Sequence, residues 1–336
     1  MELSAAVIGT GHLGRHHARI YAEMEDVKLV AVCDLDLARA GAIAEKYGCR
    51  AYEAPAQIRE RLDLVSVAVP THAHFEVASY FLRKDVPVLV EKPMTATLAQ
   101  ARELAQLSFD RKIPLQVGHV ERFNPALRAA LQHKIEARFI ESHRLAPFTF
   151  RSADIGVVLD LMIHDIDIVL HLVRSPLMVV HAQGGSVLSS SEDIASARLE
   201  FEDGAVANLT ASRVSLNPMR RTRVFSRDFF LSMDFDKKYA FLARKAEGFE
   251  SRLKETWEQV TSSTPEQMAL LAATAFRDLI QIQELKLDDE EPLKAELQSF
   301  VRAVRTGEPP EVPAHAALRA LEAADRVLAD IRRRRW

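Results

Sequence analysis

The chain has 336 residues, of which 48% are hydrophobic and 27% are charged, and its formal net charge is −3. This length can hold two domains, while the charge excludes the overall basic character of nucleic-acid-binding proteins, and no apolar run is long enough to span a bilayer. Cys33 and Cys49 are too few for a disulfide framework, and no signal peptide is visible, so we expect a cytoplasmic protein.

A glycine-rich turn follows the first predicted strand, Ser4–Gly9. The turn, Gly9-Thr10-Gly11-His12-Leu13-Gly14, fits the pattern GxGxxG and precedes a helical pattern from Arg15 to Glu23. The first glycine permits the turn, the second lets the backbone approach a pyrophosphate, and the third lets the helix pack on the strand. The helix N-terminus offers free N–H groups to the phosphates. This order of strand, turn and helix predicts a dinucleotide site.

The second predicted strand, Lys28–Cys33, ends at an acidic residue, Asp34. A carboxylate at this position can bind both hydroxyls of the adenosine ribose, and it repels a 2′-phosphate. Leu35 follows, where a basic residue would favour NADP, although the nearby Arg39 keeps NADP open. We therefore predict NAD as the cofactor.

Helical and strand patterns alternate as far as the predicted strand Pro114–Val117, which indicates a doubly wound parallel sheet over residues 1–122. Ligands of such sheets bind beyond the carboxyl ends of the strands. Lys92 is the most suggestive residue there, because Pro93 fixes its position at the same edge as the glycine-rich turn. The polar or turn-forming residues that follow these strand ends are Pro70, Thr71, His74, Glu91, Lys92, His119 and Arg122.

A predicted helix of about five turns, Gly156–Val173, is apolar on most sides and should be buried. Its polar residues recur at i, i+4, i+7 and i+11, within roughly 60° of one another. These residues are Asp160, His164, Asp167 and His171. Three interpretations remain open: a core network of Asp–His hydrogen bonds, a metal site that lacks a clear third ligand, and an acid–base pair lining a pocket.

Five motifs together resemble the glucose-fructose oxidoreductase / inositol dehydrogenase / rhizopine-catabolism (Gfo/Idh/MocA) family. They are GTGHLG, Asp34, PTHAH, EKP and the Asp-x-x-x-His of LDLMIHDID, in the family's order and spacing. The resemblance implies an α/β protein with an N-terminal Rossmann domain and, over residues 123–336, an α+β domain with a large open, mainly antiparallel sheet. C-terminal helices should pack back on the N-terminal domain, and the sheet should form a homodimer or homotetramer.

The resemblance also implies hydride transfer between a nicotinamide and a carbon that bears a hydroxyl, usually on a sugar or cyclitol. Lys92 corresponds to the family's lysine near the reacting hydroxyl, and Asp160 and His164 correspond to its Asp and His, with the histidine as proposed acid or base. Asp167 and His171 are expected to be structural. The implied cofactor site comprises Gly9, Gly11, His12, Leu13, Gly14, Asp34, Pro70, Thr71, His74, Glu91 and Lys92.

Three segments resemble a narrower subgroup, the bacterial UDP-N-acetylglucosamine 3-dehydrogenases associated with amino-substituted lipid A. They are GHVERFNPA, DIGVVLDLMIHDID and ASRVSLNPMRRTRVFSRDFFLSMDF. The subgroup oxidises the sugar 3-hydroxyl with NAD, and the expected substrate contacts here are His119, Arg122, Asn124, Arg220 and Arg221. The basic cluster of Arg213, Arg220, Arg221 and Arg223 is interpreted either as a solvated sheet edge with ion pairs or as a diphosphate site.

The C-terminal half contains further local signals. Ala195–Phe201 and Ala205–Ser212 alternate about Glu202-Asp203-Gly204 and predict a hairpin, and Asn124-Pro125 predicts a helix start. Lys237–Gln259 is charged and helix-like. Two further helices are predicted at Glu291–Arg305 and Ala314–Ile331, and Arg332–Arg335 is expected to be a solvated tail.

Two alternatives to a nucleotide-sugar dehydrogenase stay open. An inositol or other polyol dehydrogenase fits Asp160 and His164 equally well. A dinucleotide-binding regulator without catalysis also occurs in the family, but the joint presence of Lys92, Asp160 and His164 argues against it. No nucleic-acid partner and no membrane insertion are expected.

Overall fold

The computed structural model describes residues 2–149, 155–262, 264, 268 and 279–334, which are organised around two β-sheets. The strands of the first sheet are β1 Leu3–Ile8, β2 Val27–Cys33, β3 Arg50–Tyr52, β4 Leu64–Val67, β5 Val88–Glu91 and β6 Leu115–Gly118. The helices that join them are α1 Gly14–Glu23, α2 Leu37–Tyr47, α3 Thr71–Leu82 and α4 Leu98–Arg111. The strands β4 and β5 are buried along their whole length, because apolar clusters lie on both faces of the sheet.

All six strands are parallel, in the order β3-β2-β1-β4-β5-β6. The doubly wound sheet predicted from the alternating pattern is confirmed. Strand order changes direction between β1 and β4, and in such sheets this point opens a crevice at the carboxyl ends of the strands. The glycine-rich turn after β1 and the turn after β4 both lie there.

The second sheet has eight strands and follows the helix α5 Pro125–Leu131. Its strands are β7 Phe139–Leu145, β8 Leu177–Gly185, β9 Ile194–Phe201, β10 Val206–Ser212, β11 Met219–Phe225, β12 Phe229–Asp234, β13 Tyr239–Lys245 and β14 Ile280–Glu284. Their order is β14-β13-β12-β11-β7-β10-β9-β8, and every neighbouring pair is antiparallel except β7 with β10. This is the large, mainly antiparallel sheet that the resemblance implied.

The two faces of the second sheet differ because alternate residues point to opposite sides of a strand. On one face, Ile140 and Arg144 of β7 are buried beneath the helix α6 Ile163–Val173. The other face carries an aromatic row, whose neighbouring ring centroids lie 5.9, 4.8 and 5.5 Å apart. The rings of this row belong to Phe139, Phe225, Phe230 and Phe241.

Two C-terminal helices, α8 Pro292–Thr306 and α9 Ala314–Arg333, return toward the first sheet. The apolar side chains of Leu297 and Phe300 share one core cluster with residues of β1 and β2. Arg19 of α1 also donates a hydrogen bond to Glu291 at 2.6 Å. The C-terminal helices therefore complete the hydrophobic core of the N-terminal half, as the resemblance implied.

The prediction of a helix-like segment over Lys237–Gln259 is wrong in its first part. The structure has β13 there and then a helix, α7 Phe249–Thr261, which begins directly after Gly248 at a φ of +72°. Ala240 and Leu242 of β13 are buried in alternation, which is the period of a strand. The charged residues around them conceal this short pattern.

Other local predictions are confirmed. The strands β9 and β10 form the antiparallel hairpin predicted around residues 202–204. Asn124 caps α5, because its side-chain oxygen accepts a hydrogen bond from the Ala126 amide at 3.1 Å. In the predicted tail, Arg335 lies outside the described residues. No helix in the described ranges is both long enough and apolar enough to cross a bilayer.

Candidate active site

The glycine-rich turn has the shape that a dinucleotide requires. Gly9 has a φ of +89°, and a Cβ atom on Gly14 would lie 1.7 Å from the Gly9 carbonyl oxygen, so neither position accepts a side chain. A Cβ atom on Gly11 would instead meet no atom within 4 Å, which leaves open space beside the α1 N-terminus. Close backbone packing on one side and an open approach on the other fit a pyrophosphate against this turn.

Asp34 lies at the end of β2, in reach of this turn. Its carboxylate accepts hydrogen bonds from the Thr10 amide at 2.7 Å, the Thr10 hydroxyl at 2.9 Å and the Asp36 amide at 2.9 Å. Burial raises the pKa of Asp34, but these hydrogen bonds outweigh it and hold the pKa below its ordinary value. Arg39 approaches the same carboxylate at 3.6 Å. Asp34 therefore stays an anion where the predicted adenosine ribose would lie.

Lys92 follows β5 and points toward the helix that the sequence singled out. Its Nζ donates to the backbone carbonyl of Asp160 at 2.6 Å and to the Asp160 carboxylate at 3.0 Å. Asp160 lies in a wide π turn, Val158–Met162, that precedes α6. Such turns are rare in proteins overall, but those that occur are often at functional sites. The structure thus brings together two of the three residues predicted to be catalytic.

His164, the third of these residues, is on the first turn of α6. Burial lowers its pKa well below the ordinary value, and the positive charges of Lys92 and Arg144 lower it further. Its Nδ1 is buried and has no hydrogen-bond partner among the described residues. His119 faces it, with the two ring centroids 6.2 Å apart and the ring planes nearly perpendicular. His164 is therefore a neutral imidazole close to the Lys92 ammonium.

The four polar residues predicted to form one stripe on this helix make separate contacts with other parts of the chain. Asp160 binds Lys92, whereas Asp167 accepts a two-pronged hydrogen bond from Arg122 at 2.6 and 3.0 Å. Burial, followed by the charge of Arg122, lowers the pKa of His171 to about 4. No Asp–His hydrogen bond joins the four stripe residues within the described chain. The described residues also include no group of three or more His, Cys, Asp or Glu that could hold a metal ion.

Two of the predicted substrate contacts are buried in structural pairs. Arg122 is 6% exposed and holds Asp167, and Asn124 caps α5 while its amide group donates to Glu121 at 3.1 Å. Both side chains are occupied by protein partners. We therefore leave Arg122 and Asn124 out of the site proposed below.

The four arginines of the predicted basic cluster do not act as one patch. Arg220 and Arg221 are successive residues of β11 and point to opposite faces of the sheet. Arg220 shares the face of its cross-strand partner Arg144 and lowers the pKa of His164 through its charge. Its guanidinium lies 3.4 Å from Asp236 and 3.7 Å from Glu121. Arg221 pairs instead with Asp234 at 3.1 Å on the opposite face. The structure brings only Arg220 to the candidate site.

The remaining two arginines have partners of their own. Arg223 contacts Glu141 at 2.5 Å on the face that carries the aromatic row. Arg213 lies 3.5 Å from Asp193 and donates to the carbonyl of Ile155, just before the helix that carries His164. Arg223 therefore lies on the sheet face opposite to Arg220.

Several residues predicted to bind the cofactor instead contact other protein groups around the site. Thr71 begins α3 directly after its N-cap Pro70. His74 is buried, and its two ring nitrogens lie 2.9 Å from the carbonyl oxygens of Val69 and Pro93. Glu91 is buried against His17. Of the turn residues, His12 and Leu13 are exposed, and His12 contacts Arg15 at 3.1 Å.

Sequence reasoning missed a buried ion network beneath His164. Arg144 of β7 donates to Asp165 at 2.9 and 3.0 Å and to Glu121 at 2.7 Å. All three side chains are less than one-tenth exposed. The available signal was a charged residue, Arg144, in phase with Ile140 on one face of β7, because a buried charge is rare without a partner.

Two models of known families match the chain. The first, described as an oxidoreductase family with an NAD-binding Rossmann fold, matches residues 3–119. The second, described as the GFO/IDH/MocA C-terminal domain, matches residues 132–228. Together they cover the first sheet and the strands β7 to β11 of the second, and they confirm the predicted resemblance.

Individual proteins are also similar. A UDP-N-acetylglucosamine 3-dehydrogenase from Acidithiobacillus ferrooxidans is 39% identical over 236 residues, or 70% of this chain and 75% of that protein. A solved structure of an enzyme with that name from the same species superimposes with a TM-score of 0.85 at 32% identity, and 98% of each chain is covered. A scyllo-inositol 2-dehydrogenase from Bacillus subtilis is 28% identical over 64% of this chain and 68% of its own.

Proposed function

Because this chain belongs to the GFO/IDH/MocA family of NAD-dependent oxidoreductases, we propose that it oxidises the 3-hydroxyl of a nucleotide sugar, UDP-N-acetylglucosamine, to a ketone. The contact between Lys92 and Asp160 beside the neutral His164 carries this proposal. Bound NAD would supply the hydride acceptor, held by the Gly9–Gly14 turn and Asp34. The residues of the chain supply the proton chemistry and the positioning.

We propose His164 as the base. An alcohol carbon that loses a hydride becomes a carbonyl carbon only if the hydroxyl proton also departs. A neutral imidazole can accept that proton, and the lowered pKa of His164 keeps the imidazole neutral at physiological pH. Its Nδ1 is buried, which leaves Nε2 as the ring nitrogen accessible to a substrate.

Lys92 and Asp160 have complementary roles in this proposal. The Lys92 ammonium stabilises the oxygen as negative charge develops on it, and such preorganised charge is effective in a site shielded from water. The two Asp160 oxygens hold Lys92 in place before substrate binds. The Asp160 carboxylate is also partly exposed, so it can bind a neighbouring sugar hydroxyl.

The nucleotide-sugar substrate is supported by Arg220 and by the relative from Acidithiobacillus ferrooxidans. Arg220 is 46% exposed on the sheet face that packs against α6. Its guanidinium can exchange its loose ion pairs with Asp236 and Glu121 for diphosphate oxygens. His119, whose ring faces His164, is the second substrate contact that we propose. The product would be a 3-keto nucleotide sugar, which we place in the supply of amino-substituted lipid A.

We further propose that the domains divide at residue 122 and that two or four copies associate in the cytoplasm. The aromatic row on the outer face of the second sheet supports this association, because it leaves apolar rings partly exposed in the single chain. Burial of this row against a second copy would remove it from water.

A polyol such as inositol is the second candidate substrate, supported by the relative from Bacillus subtilis. Lys92, Asp160 and His164 can act on any secondary hydroxyl. A polyol has no diphosphate, so Arg220 distinguishes the two candidates.

The test is NADH formation by the purified chain with NAD and UDP-N-acetylglucosamine, run beside NAD and myo-inositol. A 2-oxoacid added as hydride acceptor detects cofactor that is recycled without leaving the protein. We expect turnover with the nucleotide sugar alone, and a loss of about 10²–10⁴-fold in His164→Ala with NAD still bound. Turnover with inositol alone would reject UDP-N-acetylglucosamine as the substrate. Full activity of His164→Ala would reject His164 as the base.

A further inference from the structure

Three successive residues at the end of β5 are each fixed by a different part of the chain. His17 of α1 contacts the Glu91 carboxylate at 2.9 Å, and Asp160 binds the Lys92 ammonium. His74 of α3 contacts the carbonyl oxygen of Pro93, also at 2.9 Å. The backbone that carries Lys92 is thus held on both sides as well as through its own side chain.

We propose that His17 is a positioning residue, which couples the cofactor-binding helix α1 to Lys92 through Glu91. The proposal rests on the proposed function, because it takes Lys92 as the group that stabilises the reacting oxygen. The backbone N–H of His17 donates to the carbonyl of Leu13, in the glycine-rich turn, at 3.1 Å. In this scheme the His17 side chain acts only through Glu91.

The packing around Glu91 leaves little freedom for its carboxylate. His17 is fully buried and Glu91 is 7% exposed. Gly118 of β6, the register partner of Glu91, makes room for the carboxylate, since a Cβ atom there would lie 2.8 Å from its Oε2. With a strand on one side and His17 on the other, a movement of α1 is transmitted to Glu91 and to the peptide that follows it.

The charge on Glu91 gives this contact its strength. Burial raises the pKa of Glu91, but the hydrogen bond and the charge of His17 outweigh it and lower the pKa. The other charged or titratable groups that interact with Glu91 are Lys92, His74, His119 and Glu296. An ionised, buried carboxylate needs a donor, and His17 is the donor that the described chain provides.

Glu296 of α8 shows why one carboxylate of this neighbourhood carries the charge. It is fully buried, and neither of its oxygens has a hydrogen-bond partner among the described residues. Burial, followed by the negative charge of Glu91, raises the pKa of Glu296 well above its ordinary value. Burial and repulsion thus favour the neutral form of Glu296, and Glu91 is the carboxylate of this pair that carries the negative charge.

The position of His17 on α1 links its contact with Glu91 to cofactor binding. It lies three residues after Gly14, so it is one turn into the helix whose N-terminus faces the proposed pyrophosphate site. Cofactor that anchors the start of α1 also anchors His17 and, through Glu91, the backbone of Lys92. A displacement of about 1 Å at a reacting group can lower a rate about 10²-fold, so such anchoring is sufficient to affect turnover.

The test compares His17→Leu with His17→Gln and with a matched control, Tyr21→Phe. Tyr21 is buried one turn further along α1, and its hydroxyl contacts Ser66 at 2.8 Å, so the control removes a buried hydrogen bond of α1 that does not involve Glu91. We expect His17→Leu to lower kcat about 10–100-fold, with KM for the sugar and Kd for NAD changed less than about 3-fold. His17→Gln should recover part of the loss because its amide can donate to Glu91.

Two further readouts separate positioning from simple loss of packing. The double variant of His17→Leu with Glu91→Gln should lose no more kcat than the more impaired single variant, because both act through one contact. Hydrogen exchange of the peptide around Lys92 should slow when NAD binds the wild type and Tyr21→Phe, and this response should vanish in His17→Leu.

A normal kcat in folded His17→Leu, or a loss equal to that of Tyr21→Phe, would overturn the inference. Additive losses in the double variant, or an intact exchange response in His17→Leu, would also overturn it. Lys92→Met distinguishes this failure from that of the proposed function. If Lys92→Met keeps its kcat, the role of Lys92 fails and the inference fails with it. If only Lys92→Met loses kcat, the inference alone fails.

Discussion

The two walls of the proposed site differ in how far the chain satisfies their polar groups. The cofactor wall comprises the Gly9–Gly14 turn, Asp34 and residues 91–93, and the substrate wall comprises His119, His164 and Arg220. On the cofactor wall, Asp34 accepts three hydrogen bonds and Lys92 donates two. On the substrate wall, the half-exposed Arg220 has only loose ion pairs within the described chain, with Glu121 at 3.7 Å and with Asp236 at 3.4 Å.

This difference suggests that the cofactor wall is preorganised for the reaction and that the substrate wall discriminates between ligands. Groups that are already held by the protein lose little freedom when a ligand binds, so they are ready for the reaction. An exposed, loosely paired group such as Arg220 gains close hydrogen bonds only from a ligand of matching shape and charge, so a ligand that lacks the matching group binds weakly. We therefore expect changes in the cofactor wall to alter turnover or cofactor choice, and changes in the substrate wall at Arg220 to alter substrate affinity.

The largest effect is expected at Lys92. Lys92→Met removes the charge that stabilises the reacting oxygen, and kcat should fall about 10²–10⁴-fold while Kd for NAD stays within about 3-fold. Steady-state kinetics and calorimetric NAD titration measure both quantities. Lys84→Met, at an exposed lysine that contacts Tyr80, is the matched control and should keep wild-type kcat. An effect on NAD affinity alone would contradict the division between the walls.

A smaller effect is expected from Arg220, and its neighbour provides the control. Arg220→Gln should raise KM for the nucleotide sugar about 10–100-fold, because a hydrogen bond to a charged group contributes about 1.5–3 kcal/mol. Arg221→Gln should leave KM unchanged, since Arg221 pairs with Asp234 on the opposite face. Equal changes in the two variants would mean that the sheet face does not determine phosphate contact.

Cofactor choice should change less. Asp34→Ala removes the carboxylate that repels a 2′-phosphate, and Arg39 lies 3.6 Å from that carboxylate and remains in place. The preference for NAD over NADP should narrow about 10-fold, measured as the ratio of the two dissociation constants. An unchanged ratio would mean that another group discriminates between the cofactors.

The smallest change is expected when pH is lowered. His164 is active as a base when neutral, and burial, with Lys92 and Arg144, lowers its pKa well below 6.5. Its neutral form therefore persists as pH falls through 6.5, and kcat/KM should lose less than about 2-fold between pH 7.5 and pH 6 from this group. An acid limb centred near pH 6.5, absent from His164→Ala, would show that His164 titrates normally.

Sequence predicted the cofactor wall better than the substrate wall for a physical reason. The Gly9–Gly14 turn and Asp34 belong to one strand–turn–helix–strand unit, so their positions follow from local geometry. Arg122 could not be assigned in this way, because its partner Asp167 lies 45 residues away on another helix. Strand alternation alone separates Arg220 from Arg221, but which of the two lies on the face of Arg144 depends on the strand register, which the sequence does not specify.

The helix that carries Asp160 shows a second limit. A regular helix puts Asp160 and His164 on one stripe, and this correctly placed them near each other on one element. The element is widened by a π turn over residues 158–162, where the backbone carbonyl oxygen and one carboxylate oxygen of Asp160 both contact Lys92. A turn of this kind has no sequence signal in the repeat of apolar residues, so the contact could be seen only in the structure.

The most direct test of the account is transfer of deuterium from UDP-N-acetylglucosamine labelled at carbon 3. The purified chain is given this substrate and NAD, and the NADH is analysed by mass spectrometry. The account predicts that the deuterium appears in the NADH and that Lys92→Met and His164→Ala both suppress its formation. NADH without deuterium would show that another carbon is oxidised, and labelled NADH from both variants at the wild-type rate would contradict the roles assigned to Lys92 and His164.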